Sequence, residues 1–116
     1  MSTLAIARRP RLLVGTYLAL AVVGLVGTWW FNIASIAAGD DYLGGWFANP
    51  ASSSAAVDIL VAGTAACVLM VVEGRRLGWG VARIATLVVL SFVIAVAFTF
   101  PLFLALRERD RYWLAQ

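Results

Sequence analysis

The chain has no histidine, no lysine and a single cysteine, Cys67, among its 116 residues. Those absences close off much chemistry. Without imidazole or lysine, a serine or threonine nucleophile lacks its usual base and a Schiff base has no amine. One thiol makes neither an internal disulfide nor a cysteine-rich metal site. Charge is scarce as well, at 13% of residues, against about 25% in soluble domains. Hydrophobic residues reach 63% and the mean hydropathy is +0.93. So large an apolar excess on so short a chain excludes a soluble globule, a disordered tail and a secreted disulfide scaffold. The expectation is an all-α integral membrane protein. No nucleotide loop or paired-carboxylate motif is present, so no catalytic residue, cofactor or metal is assigned and the reading leans away from an enzyme.

What the chain does have is three long apolar runs. Leu12–Ile33 and Ile84–Leu106 carry no charge, and Ala55–Val72 carries only Asp58. Crossing about 30 Å of hydrocarbon takes roughly 20 helical residues, and a lone span must satisfy its own backbone. Transmembrane helices are therefore expected over about 12–33, 55–73 and 84–106, with short loops, in one membrane domain of residues 1–116. Pro101 falls in the last third of the third span, where a kink is tolerable. Asn49-Pro50 and Ser52–Ser54 read as the cap and first turn of the second helix, and Gly74 as its terminator. The connection 34–54 contains Tyr42, Leu43, Trp46 and Phe47, aromatic enough to lie against headgroups as an interfacial helix or re-entrant turn. A cleaved signal peptide is the competing reading of the first run, but its apolar length exceeds the usual 7–15 residues.

Orientation follows the arginines. Arg8, Arg9 and Arg11 precede the first span, and Arg75, Arg76 and Arg83 lie between the second and third, while the long first connection has none. With three spans these six share a side, which the positive-inside rule places in the cytoplasm of an inner-membrane, multi-pass protein with a cytoplasmic N-terminus. Arg107, Arg109 and Arg111 would then lie outside, with Trp29, Trp30, Tyr112 and Trp113 as an outer aromatic belt and Trp79 as an inner one. The pI near 9.8 reflects these topology signals and contacts to anionic lipid headgroups; nucleic acid is not expected as a partner.

Asp58 and Glu73 are 15 residues apart, roughly 22 Å along a helix and about 60° around it, on a stripe with Ser54, Ala62, Ala65, Ala66 and Leu69. Asp58 is expected to point into the bundle. There it is either a structural polar contact to Asn32, Thr28 and Thr99, or an ion carrier or general acid, or it snorkels to the outer headgroups. Glu73, Arg75, Arg76 and Arg83 read as an interfacial ion pair or a phosphate-headgroup site. Gly24 and Gly27 are a poor match to G-x-x-x-G, and Cys67 reads as inert packing.

The pieces Phe47-Ala48-Asn49-Pro50, Asp58-Ile59-Leu60, Glu73-Gly74-Arg75-Arg76-Leu77-Gly78 and Phe100-Pro101-Leu102-Phe103-Leu104 with Arg107-Glu108-Arg109 together resemble an uncharacterised family. It is the group of small, mostly bacterial membrane proteins known as domain of unknown function twenty-eight thirty-four. The resemblance covers about residues 12 to 110 and implies a compact three-helix membrane protein, with no catalytic residues to carry over. The leading expectation is a non-enzymatic accessory subunit or self-associating module, a homo-oligomer or part of a larger membrane complex. The alternatives are a small ion-coupled carrier using Asp58, or a membrane enzyme acting on lipid or isoprenoid substrates.

Overall fold

The computed structural model describes residues 3–114, with side chains described for 11–111. The helices are α1 (Thr3–Ala38), α2 (Tyr42–Trp46), α3 (Pro50–Arg76), α4 (Val81–Leu90) and α5 (Val96–Leu114), the last two joined through a π-helical turn, Ser91–Ala95. No strand occurs among the described residues. Three stretches are long and apolar enough to cross a membrane: Arg11–Ala38, Pro50–Arg76 and Val81–Arg111. The protein is therefore an all-α membrane protein. Its helices overrun the apolar runs, because arginine, serine and alanine continue a helix outside hydrocarbon. The first connection holds the short helix α2, whose N-cap Asp41 accepts from the Gly44 amide at 3.0 Å.

The start of α3 follows its sequence closely. Asn49 caps it through a capping box, its Oδ1 accepting from the Ser52 amide at 2.9 Å while Ser52 Oγ accepts from the Asn49 amide at 3.2 Å. Pro50 then occupies the first turn, where no amide donor is missed. The end differs from expectation. The helix runs through Gly74 to Arg76, and the left-handed turn falls at Gly78, with φ +78°. Gly74 is kept free of a side chain for packing instead, since a Cβ there would sit 2.9 Å from Ile84 Cγ1.

The third apolar stretch folds back on itself. A straight helix would hold Arg83 and Asp110 about 40 Å apart, yet Arg83 Nη1 lies 3.1 Å from Asp110 Oδ2. Trp79 and Phe103 meet edge to face at 5.6 Å, and Leu87 shares a core with Phe103. The chain thus rises along α4, reverses around Ser91–Ala95 and descends along α5. Pro101 lies inside α5, downstream of the reversal. Since the C-terminal arginines end beside the α3–α4 turn, their expected placement on the opposite side is overturned.

α5 is the central helix. It packs along α1 and also touches α3 and α4, whereas α1 and α3 barely meet, so the helices do not form the triangle that three simple spans would give. Phe103, Met70 and Thr99 are fully buried. Gly24 explains the close fit of α1. A methyl there would collide with the carbonyl oxygen of Ala97, the very carbonyl that Pro101, four residues on, cannot bond because it has no N–H. The Gly24 Cα–H faces that oxygen, a weak contact typical of tight helix pairs. Gly24→Val is expected to lower unfolding stability in detergent by about 1–3 kcal/mol through overpacking. Gly27→Ala, with nothing within 4 Å, should be neutral or slightly stabilising. Topology is checked by labelling single cysteines in a Cys67→Ala background: Arg76→Cys and Arg111→Cys should react from one side and Ser53→Cys from the other.

Candidate functional site

One end of the molecule gathers its arginines. No Lys or Arg occurs between residues 12 and 74, and the reversal of α4–α5 brings the later ones together. Glu73 at the end of α3 accepts from Arg107 Nε at 3.2 Å and pairs with Arg76 at 3.5 Å. Asp110 accepts from Trp79 Nε1 at 2.7 Å and from Arg83 at 3.1 Å, and also binds Arg109 at 3.1 Å. The Arg83 guanidinium lies 4.6 Å over the Trp79 ring, a cation–π contact that sequence reading missed. Of the expected set Glu73, Arg75, Arg76 and Arg83, the pairing of Glu73 with Arg76 is present. Arg83 is engaged with Asp110 instead, and Arg75 is exposed with no carboxylate beside it among the described residues.

The expected cluster of Asp58, Asn32, Thr28 and Thr99 is not assembled by hydrogen bonds. Thr28 Oγ1 donates to the Gly24 carbonyl at 2.6 Å, and Thr99 Oγ1 to the Ala95 carbonyl at 3.1 Å. Each hydroxyl serves its own helix. Thr28 and Asn32 instead line a cleft of about 220 Å³ with Tyr42, Trp46, Thr64 and Cys67, beneath the short helix α2. Asp58 does not line it and is exposed. This corrects the expectation that Asp58 points inward. Ala56 is buried, and Asp58, two residues on, lies about 200° around the helix from it. On the expected stripe only Ala66 is buried; Ala62, Ala65 and Leu69 face outward with Asp58.

The reversal has its own polar chemistry. Trp29 Nε1 donates to the Ile94 carbonyl at 3.0 Å, and Ser91 Oγ to the Leu87 carbonyl at 2.9 Å. Trp29 is thus turned inward and is not part of an outer belt, whereas Trp30 is 72% exposed as a lipid-facing residue would be. The side chains of Tyr112 and Trp113, and those of Arg8 and Arg9, lie outside the described residues. Trp29→Phe keeps an aromatic ring but removes the donor to the Ile94 carbonyl, and should cost about 1–3 kcal/mol of stability. Trp30→Phe in the same denaturation assay should change little.

The comparisons place the chain in a family and add no activity. Neither the curated proteins nor the solved structures contain a match to the chain. A family model, described as protein of unknown function DUF2834, matches residues 16–109. That match takes in α2, α3, α4 and the reversal, together with all but the first part of α1 and the end of α5, and the chain belongs to this family.

Proposed function

We propose that the protein is a small non-enzymatic module that works by helix–helix association, as an accessory subunit or a self-associating component of a bacterial inner-membrane complex. Its N-terminus, the α3–α4 turn and the C-terminal arginines then lie in the cytoplasm, because no basic residue occurs between positions 12 and 74 to compete with them.

The observation that carries this reading is Asp58. It stands exposed on an apolar span, without a hydrogen-bond partner among the described residues, in line with exposed Ala62, Ala65 and Leu69. An unpaired carboxylate in a span is costly, at least ~2.5–3.5 kcal/mol at a helix centre on insertion scales and less toward the interface. A neighbouring helix that donates to it removes that cost, and alanines beside it let the backbones approach closely. The wider face of α3 is equally unpartnered, with Val57, Val61 and Val68 all more than half exposed. A carrier or lipid-enzyme role for Asp58 needs the carboxylate in a cavity, and the cleft beneath α2 does not include it.

Native mass spectrometry from mild detergent tests the proposal. The wild type should carry a second copy or a co-purifying membrane subunit at fixed stoichiometry, and Ala65→Leu should abolish this. Asp58→Leu should weaken the association, while Asp58→Asn, which still accepts and donates, should retain most of it. A monodisperse monomer unaffected by Ala65→Leu would refute the reading.

A further inference from the structure

Among the described residues, the ion pairs at the arginine end leave Arg75 free of a carboxylate, as they do Arg11 and Arg111, and a groove leads away from Arg75. Arg76 is held by Glu73, Arg83 by Asp110 and the Trp79 ring, Arg107 by Glu73, and Arg109 by Asp110. Arg75 has no such partner among the described residues. It lines the mouth of an open groove of about 530 Å³ whose walls are Val71, Trp79, Val81, Ile84, Ala85 and Val88. No acidic residue lines this groove. From the mouth at Arg75 and Gly80 the walls run one to two turns toward the middle of the molecule, to Val71 on α3 and Val88 on α4.

We infer that this groove seats an anionic glycerophospholipid, with its phosphate at Arg75 and an acyl chain along Val71, Ile84, Ala85 and Val88. Charge complementarity selects the occupant. The mouth offers one uncompensated guanidinium at the level where headgroup phosphates lie, and the walls beyond it offer only apolar surface. Basic pockets between membrane helices on the arginine-rich side suit such headgroups, and guanidinium matches phosphate in a bidentate fork. The start of α4 adds to the field: its N-cap is Gly80, with no side chain to cap it, so the first amides of the helix face the same level as Arg75. A zwitterionic lipid presents the same phosphate with a choline or amine that the nearby arginines repel. The inference depends on the membrane placement of the chain and not on its association through Asp58.

The test is native mass spectrometry of the full chain in mild detergent with equal amounts of phosphatidylglycerol and phosphatidylcholine. The wild type should retain one phosphatidylglycerol in preference to phosphatidylcholine. Arg75→Gln should weaken that retention about tenfold, the loss expected for one charge-assisted hydrogen-bonding partner. Ala85→Trp, which fills the groove and leaves every charge in place, should do the same, and Arg76→Gln should keep the preference. Equal retention of the two lipids, an unchanged preference in Arg75→Gln, or an equal loss in Arg76→Gln would overturn the site. Melting temperatures of the variants, measured without added lipid, separate lost lipid from lost fold: a variant that binds less lipid while melting like wild type supports the groove, and loss confined to variants that have unfolded counts against it.

Discussion

A backbone carbonyl or amide within a lipid-embedded protein has no water to turn to, and the architecture depends on meeting that demand where α4 gives way to α5. An ordinary span meets it along its own ladder. Here the ladder widens into a π-turn and the chain reverses, and nearby polar side chains bond to the carbonyls around it. Trp29 reaches across from α1 to Ile94, Ser91 bonds back to Leu87 and Thr99 to Ala95. Pro101 releases one further carbonyl, at Ala97, and Gly24 lets α1 come close enough for its Cα–H to face it. Trp29 and Gly24 on α1 thus meet the backbone of residues 94–97 at the reversal, from positions far away in the sequence.

The reversal determines the electrostatics. It returns α5 to the end from which α4 set out, so Arg107 meets Glu73, and Asp110 meets Trp79 and Arg83. With three simple crossings the C-terminal arginines stand against the positive-inside pattern. Folded back, they join it, and Glu73 and Asp110 are drawn into pairs with arginines there. Such pairs at an exposed surface contribute little individually. Glu73 is only 14% exposed, however, and its pair with Arg107 ties the end of α3 to α5, while Arg76 pairs with it within α3. With six arginines from Arg75 to Arg111 against Glu73, Glu108 and Asp110, net positive charge remains on that end, and Arg75 presents part of it at a groove.

Packing around α5 has the converse effect on α3. Because the central place is taken by the last helix, α3 contributes Ala66 and Met70 to the core and leaves its other faces outward. A chain of this size has too few helices to cover every apolar face, and the carboxylate of Asp58 lies on an uncovered one. The association proposed through Asp58 and the lipid proposed beside Arg75 draw on different chemistry and on different ends of α3.

Much of this was legible in the residues. The absence of histidine and lysine, the apolar runs and the arginine groups place the chain in a membrane as an all-α protein, because hydrocarbon admits no other economy for a lone backbone segment. The Asn49-Pro50 cap, one of the two forms expected for the first connection and the pairing of Glu73 with a neighbouring arginine are local, set by neighbours within four residues, and so were within reach of the sequence. The long-range partners could not. A run of 23 uncharged residues from Ile84 to Leu106 looks the same whether it crosses or doubles back, since hydropathy records transfer from water and carries no term for direction. Which way Asp58 faces, which arginines are drawn into pairs and why Gly24 but not Gly27 must lack a side chain all follow from that reversal. Only tertiary contacts between residues tens of positions apart decide it.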